Sequence, residues 1–230
     1  MKSLTNGEST LPMDKPYGIA ARDYLKRAQS RLGESALESL FYAAFELRCG
    51  IEARMQEYLE VWDHIAKKKK QGWRIAELGQ NIEKSFRVGD AVIRWAVHDG
   101  HSSELIACLY YTPVTKGLRK RGEKIGNYMH SMKRYRATDD NWWMTFREEL
   151  LQAAAELRTA TMGTLLGPPL KKKGSTQIQM NMDLPPGSNA DAIIKRAIGQ
   201  DLKVKVTYLK SLPNILEPQA SIWNLTDEDQ

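Results

Sequence analysis

From Glu34 to about Ala66, apolar residues recur at Leu37, Leu40, Ala44, Leu47, Ile51, Met55, Tyr58, Trp62 and Ile65. Steps of three and four residues line one face of an α-helix. The spacing predicts a single helix roughly 50 Å long, provided Gly50 does not kink it. A shorter helix is expected before it over Tyr17–Arg31, with Ile19, Tyr24 and Leu25 apolar and Gly33 as its stop. The run Lys67–Lys70, followed by Gly72, suits a helix end, where cations meet the negative pole of the peptide dipoles. Ile75, Leu78, Ile82, Phe86, Ile93 and Val97 predict a second long helical region over Trp73–His98, with Gly79 and Gly89 as its weak points. Asp99-Gly100 marks a turn. Ser103–Tyr111 fits either a short helix or a strand, ended by Thr112-Pro113. A last long helix is predicted from about Asp140 to Thr164. Asp139 or Asp140 would cap it, and Trp142, Phe146, Leu150, Ala153 and Leu157 would form its inner face.

Beyond Gly167 the period changes. Ile178, Met180, Met182 and Leu184 alternate with polar residues, Asn189–Ile198 has helical spacing, and Val204, Val206 and Tyr208 alternate again. The expected fold class is therefore mainly α: a helical bundle with long antiparallel helices plus a small C-terminal β-α-β appendage. Residues 1–15 read as a flexible lead, 16–166 as the bundle, 167–176 as a linker, and 177–230 as the α/β appendage with an acidic tail. So short a segment buries little apolar surface alone, so it is expected to pack on the bundle or pair with another chain.

Composition narrows the class without choosing a function. With 42% hydrophobic and 27% charged residues, the 230-residue chain reads as an ordinary globular protein. No stretch approaches the roughly 20 apolar residues of a membrane span, and MKSLTNGESTLPMDKP lacks the apolar segment of a secretory signal. Only Cys49 and Cys108 occur, and neither has a nearby cysteine, so reduced, buried thiols in a cytoplasmic protein are expected. The net charge of +6 tilts the expectation towards an anionic partner. The tryptophan-rich stretch Asn141–Phe146 offers apolar surface that would suit a homodimer or a larger assembly.

The chemistry concentrates in Gly122–Arg136. If that segment is helical, Glu123, Asn127, His130 and Arg134 share one face, and Ile125, Met129, Met132 and Arg136 occupy the side a bundle would bury. Histidine is the usual proton carrier at neutral pH, which makes His130 a candidate acid/base, with Lys124 and Asn127 beside it. Arg48 falls within the apolar arc of the long helix and can pair with Glu52 one turn on, so both are candidates for a polar site between helices. Lys116, Arg119, Lys120, Arg121, Lys133, Arg134 and Arg136, interleaved with Tyr128 and Tyr135, form a basic and aromatic cluster suited to RNA or DNA. A solvated charged face would carry the same residues. His98 and His101 bracket Asp99, but no further ligand accompanies them, so no metal site is expected. No cofactor is expected either, since the chain has no phosphate-binding loop, dinucleotide fingerprint or nucleophile elbow.

FYAAFELRCGIEARMQEYLEVWDHI, WRIAELGQNIEKSF and EKIGNYMHSMKRYR together resemble the HEPN-like helical domains of bacterial defence and toxin–antitoxin systems, over about residues 20–165. That resemblance implies a bundle that dimerises. Some members are metal-independent ribonucleases with an arginine shortly before a late-helix histidine, and others bind nucleic acid or regulate without catalysis. Here the positions preceding His130 hold Glu123, Lys124 and Ile125, so Lys124 is the available cation, and lysine lacks the two-pronged fork of arginine. Arg94 and His101 match the spacing as well. The resemblance therefore implies a nucleic-acid-binding or regulatory subunit of a defence system. A protein–protein adaptor and a ribonuclease acting through His130 are the alternatives.

Overall fold

The computed structural model describes residues 17–130, 135–171, 178–182 and 201–213. Along them run α1 (Ala21–Leu32), α2 (Glu38–Glu60), α3 (Lys67–Lys70), α4 (Ile75–Phe86), β1 (Val92–Asp99), β2 (Leu105–Tyr111), α5 (Lys116–Tyr128), α6 (Asn141–Thr161), β3 (Leu170–Lys171), β4 (Ile178–Gln179) and β5 (Leu202–Leu209). About half of these residues are helical.

α2 is the central element. Leu40, Ala44, Leu47, Ile51, Met55 and Tyr58 lie fully buried along it, as the three-and-four spacing requires. The helix runs unbroken through Gly50 but ends at Glu60, giving about 35 Å rather than 50. Trp62 and Ile65 still reach the core from the turn that follows, where Trp62 Nε1 donates to the Leu166 carbonyl at 3.2 Å. The lysine run forms its own helical turn, α3, and Lys70 Nζ donates back to the terminal carbonyl of Glu60 at 2.9 Å.

The expected helix over Trp73–His98 is half helix and half strand. α4 stops at Phe86, where Arg87 takes a left-handed conformation (φ 56°), and Gly89 (φ 59°) turns the chain into β1. Ile93 and Val97, four residues apart, are one helical turn or two strand repeats. The second reading holds, and Ser103–Tyr111 is the strand β2 antiparallel to it. One sheet face, carrying Ile93, Trp95, Val97, Ala107, Leu109 and Tyr111, packs into the helical core. The other gathers Val92, Ala96, Cys108 and Tyr110 with Leu105, Leu209 and Leu212.

The C-terminal strands do not pair with each other. β4 pairs with β3 in a two-residue ladder, whereas β5 lies antiparallel on β1 over all eight of its residues, giving the order β2-β1-β5. Residues 202–209 thus complete the sheet that β1 and β2 begin. The helix expected over Asn189–Ile198 lies outside the described residues.

α6 begins as its sequence predicts, with the Asp140 carboxylate accepting from the Trp142 amide at 2.9 Å. Its aromatic start is core rather than spare surface. Trp142, Trp143 and Phe146 stack with Phe41 and Tyr128 at centroid distances of 4.5 to 5.9 Å. Met144, on the opposite side of the helix, is exposed.

A buried polar clamp joins α2, α6 and the end of β2. Arg54, only 1% exposed, donates through Nε to the Tyr58 hydroxyl (3.0 Å) and the Ala160 carbonyl (2.9 Å). Its Nη1 reaches Glu57 at 2.8 Å and its Nη2 the Gly163 carbonyl at 3.1 Å. Tyr58 donates in turn to the Thr112 carbonyl, and Thr112 Oγ1 bonds both the Ala160 carbonyl (2.8 Å) and the Gly163 amide (3.0 Å). Glu57 extends the clamp to α1 by accepting from the Ala21 amide at 2.8 Å. A buried guanidinium is tolerated because its donors are met.

Candidate functional site

α4 and α5 pack antiparallel. Lys116 lies 3.8 Å from Glu83, Arg119 Nη1 donates to the Gly79 carbonyl at 3.1 Å, and Gly122 faces Ile75. Between the two helices runs an open groove of about 270 Å³, lined by Ala76, Gly79, Gln80 and Glu83 from α4 and by Lys116, Arg119, Lys120 and Glu123 from α5. Its floor exists because Gly79 has no side chain: a Cβ there would stand 2.7 Å from Arg119 Cδ. Gly122 serves a different purpose, since a Cβ would meet Ile75 Cδ1 at 2.5 Å and Ile51 Cδ1 at 3.1 Å inside the core.

These two glycines yield contrasting expectations. Gly79→Ala displaces only the end of a flexible side chain and gains about 1 kcal/mol of helix propensity, so urea denaturation is expected to show stability within about 1 kcal/mol of the parent. Gly122→Ala overpacks the α2–α4–α5 junction and is expected to cost about 1–3 kcal/mol by the same measurement.

The electrostatics of this flank are one-sided. Residues 67–87 and 116–128 together carry twelve Lys and Arg against three Glu, and the fold sets them side by side. The first turn of α5 contains no acid, so Lys116, Arg119 and Lys120 stand near the positive pole of their own helix. The Asp90 carboxylate, accepting from the Lys116 amide at 2.9 Å, partly offsets this. Lys116 and Lys120 are exposed to solvent.

The other predicted basic residues are engaged within the chain. Arg121 bonds Glu149 (2.6 Å) and Glu156 (2.8 Å), and Lys124 bonds Glu149 at 2.6 Å. Burial pushes the Glu149 carboxyl up, but the hydrogen bonds from Lys124 and Arg121 outweigh that and hold it below the ordinary value. Arg136 pairs with Asp140 at 3.3 Å and lies over the Trp142 ring at 4.3 Å. Lys133 and Arg134 lie outside the described residues. Among the described residues, the cations outside these ion pairs gather in α3 and at the start of α5, where Arg119 and Lys120 fall within the predicted stretch 119–136.

The histidine stripe is shorter than expected. α5 ends at Tyr128, with Met129 as its cap and partly exposed, so His130 lies beyond the helix. Glu123, Asn127 and His130 are all exposed. Arg48 and Glu52 pair as predicted at 3.1 Å. Arg48 Nη1 also donates to the Gly122 carbonyl at 3.3 Å and occupies the notch left by Gly126, four residues before His130. Lys124 is turned to α6, away from this notch. Burial raises the Glu52 carboxyl, and Arg48 counters it. Burial, followed by Glu52 and Glu46, pushes the neighbouring Cys49 thiol up to about 11, which leaves it protonated and unreactive at neutral pH.

His98 lies near the end of β1, and His101 lies in the turn between β1 and β2. Among the described residues no group of three potential ligands could hold a metal. Asp99 organises the turn by accepting from the His101 amide (2.9 Å), the Ser102 amide (2.6 Å) and Ser102 Oγ (3.0 Å). The Ser102 amide, then that of His101, holds the carboxyl below its ordinary value. The ionised form is thus favoured in the fold, and its contribution is present above the unfolded pKa of about 3.9 and lost as pH falls through the folded value. A melting-temperature series between neutral and acid pH is expected to fall less steeply for Asp99→Asn than for the parent.

Two features escaped the sequence: Arg54 and Trp73. Arg54 lies three residues after Ile51 and seven after Leu47, so the wheel that singled out Arg48 contained it too. Trp73 sits in the α3–α4 loop and is 67% exposed.

No helix among the described residues is long and apolar enough to cross a membrane. No known protein family matches the chain, nor does a curated protein or a solved structure.

Proposed function

We propose that this protein binds nucleic acid through the flank formed by α3, α4 and the start of α5, contacting the phosphate backbone. With Arg121 and Lys124 set aside as paired to α6, ten Lys and Arg remain against three carboxylates along two adjoining segments, and the exposed Lys116 and Lys120 on the groove rim carry the reading. Intramolecular ion pairs absorb Arg121, Lys124 and Arg136, so this proposal shifts the contact from residues 119–136 towards Lys116, Arg119, Lys120 and α3. On the resemblance of its helical segments to HEPN-like domains, such a surface suits a regulatory or nucleic-acid-binding subunit of a bacterial defence or stress system, acting in the cytoplasm as a homodimer or with a partner protein.

Retention of mixed RNA and DNA by the purified protein in EDTA tests this, with fragment length followed in parallel. Retention without cleavage is the expected result. Cleavage lost in His130→Ala would instead assign a metal-independent ribonuclease, with the exposed His130 as acid/base. No retention would discard the nucleic-acid reading. An adaptor reading has its own observation: Val204, Val206 and Tyr208 are exposed along β5, on the sheet face that elsewhere packs into the core. It predicts loss of a protein partner, rather than of nucleic acid, when β5 is altered.

A further inference from the structure

Trp73 combines exposure with a fixed backbone. The Gln56 side chain donates to the Gly72 carbonyl at 2.8 Å, tying the loop to α2, and Gly72 itself takes a left-side conformation (φ 149°) that leaves open space around it. Immediately after the ring, Arg74 takes the N-cap position before α4 and holds Glu77 at 2.9 Å, with its guanidinium 5.5 Å from the indole centroid. Four lysines precede the loop in α3, and Asn81 Nδ2 donates to the Lys69 carbonyl at 3.0 Å, joining α3 to the side of α4. The groove runs along α4 from Glu83 and Lys116 towards Ala76 and Glu123, so its far end opens by the helix start that Trp73 precedes. From the level of Glu83 to that of Ile75 is roughly 12 Å along the helix.

An exposed indole on a tethered loop, with cations before and after it, has the parts of a stacking platform. A base offers a flat π-face to the ring, and its flanking phosphates meet lysines. In a duplex the base faces are already stacked and hidden, so only a single strand can use the ring. We propose that Trp73 is a base-stacking residue for single-stranded nucleic acid, with the backbone held by α3 and by Lys116 and Lys120. This rests on the nucleic-acid reading above and specifies its ligand.

The test compares the parent chain with Trp73→Ala and Trp73→Phe, using oligothymidylate, oligouridylate and duplex DNA of equal length at low salt, with polyglutamate as a further ligand. Stacking is worth roughly 5- to 150-fold in affinity per base. Trp73→Ala is therefore expected to weaken single-strand binding by at least about fivefold, leave duplex affinity and the melting temperature unchanged, and abolish the quenching of tryptophan emission by the oligonucleotide. Trp73→Phe is expected to retain most of the affinity. The relative affinities for the two oligonucleotides distinguish DNA from RNA. Single-strand affinity within twofold of the parent in Trp73→Ala, or an equal loss for duplex, would overturn the stacking role while leaving the nucleic-acid reading intact. Polyglutamate bound as tightly, with the same loss in Trp73→Ala, would reassign the surface to acidic peptides and overturn the proposal. Absence of any binding by the parent chain would overturn both.

Discussion

Arg54→Met is expected to destabilise the protein by about 3–5 kcal/mol, read as a shift of the urea midpoint with little change in slope. The substitution keeps apolar contact but removes every guanidinium donor of the clamp. The Ala160 and Gly163 carbonyls lose their guanidinium partners at the end of α6, and Glu57 loses its ion pair. Each buried acceptor left unmet costs about 1–3 kcal/mol, and Thr112 can compensate only at Ala160. Arg54→Lys is expected to recover less than half of the loss, because an ammonium cannot span acceptors on α2, α6 and the following turn at once. Tyr58→Phe removes the hydroxyl that joins Arg54 to the Thr112 carbonyl and is expected to cost about 1–3 kcal/mol. A loss below about 1 kcal/mol in Arg54→Met would mean that apolar packing, rather than the clamp, holds α6 to the sheet.

The second large effect concerns binding. Lys116→Glu with Lys120→Glu is expected to lower nucleic-acid affinity at least about tenfold at low salt and to flatten the salt dependence by about 0.7 per lost single-strand phosphate contact. Its melting temperature should stay near that of the parent, since both side chains are exposed and the Lys116–Glu83 contact is long. Arg121→Glu provides the opposite control. It places a carboxylate against Glu149 and Glu156, so it should lose stability and retain affinity once folded. Electrophoretic mobility shifts and thermal melts on the same preparations separate the two outcomes. Equal loss of affinity in both variants would return the contact surface to the whole of α5.

Much of the helical part was legible because its signal is redundant. α2 repeats its three-and-four spacing along the whole helix, and α6 adds a capping aspartate to an apolar face. β1 was misread because a strand buried on both faces loses its alternation, and the spacing of Ile93 to Val97 fits helix and strand alike. The alternation of Val204, Val206 and Tyr208 was visible, but their partner lies a hundred residues earlier in β1, which no local pattern reveals. The candidate site shows the same division. Charge is readable residue by residue. Which cations are already paired depends on α6, whose Glu149 and Glu156 meet Arg121 and Lys124 only after packing. Trp73 marks only the start of a predicted helix in the sequence, and the fold places it exposed in the loop before α4.

The most direct measurement of the central claim is the affinity of the parent chain for a single-stranded oligonucleotide across a range of salt concentrations. Contacts by Lys116, Lys120 and at least two lysines of α3 predict a straight log–log plot with a slope of about −3 or steeper. A flat plot, or no binding at the lowest salt, would contradict a nucleic-acid role for the α3–α5 flank.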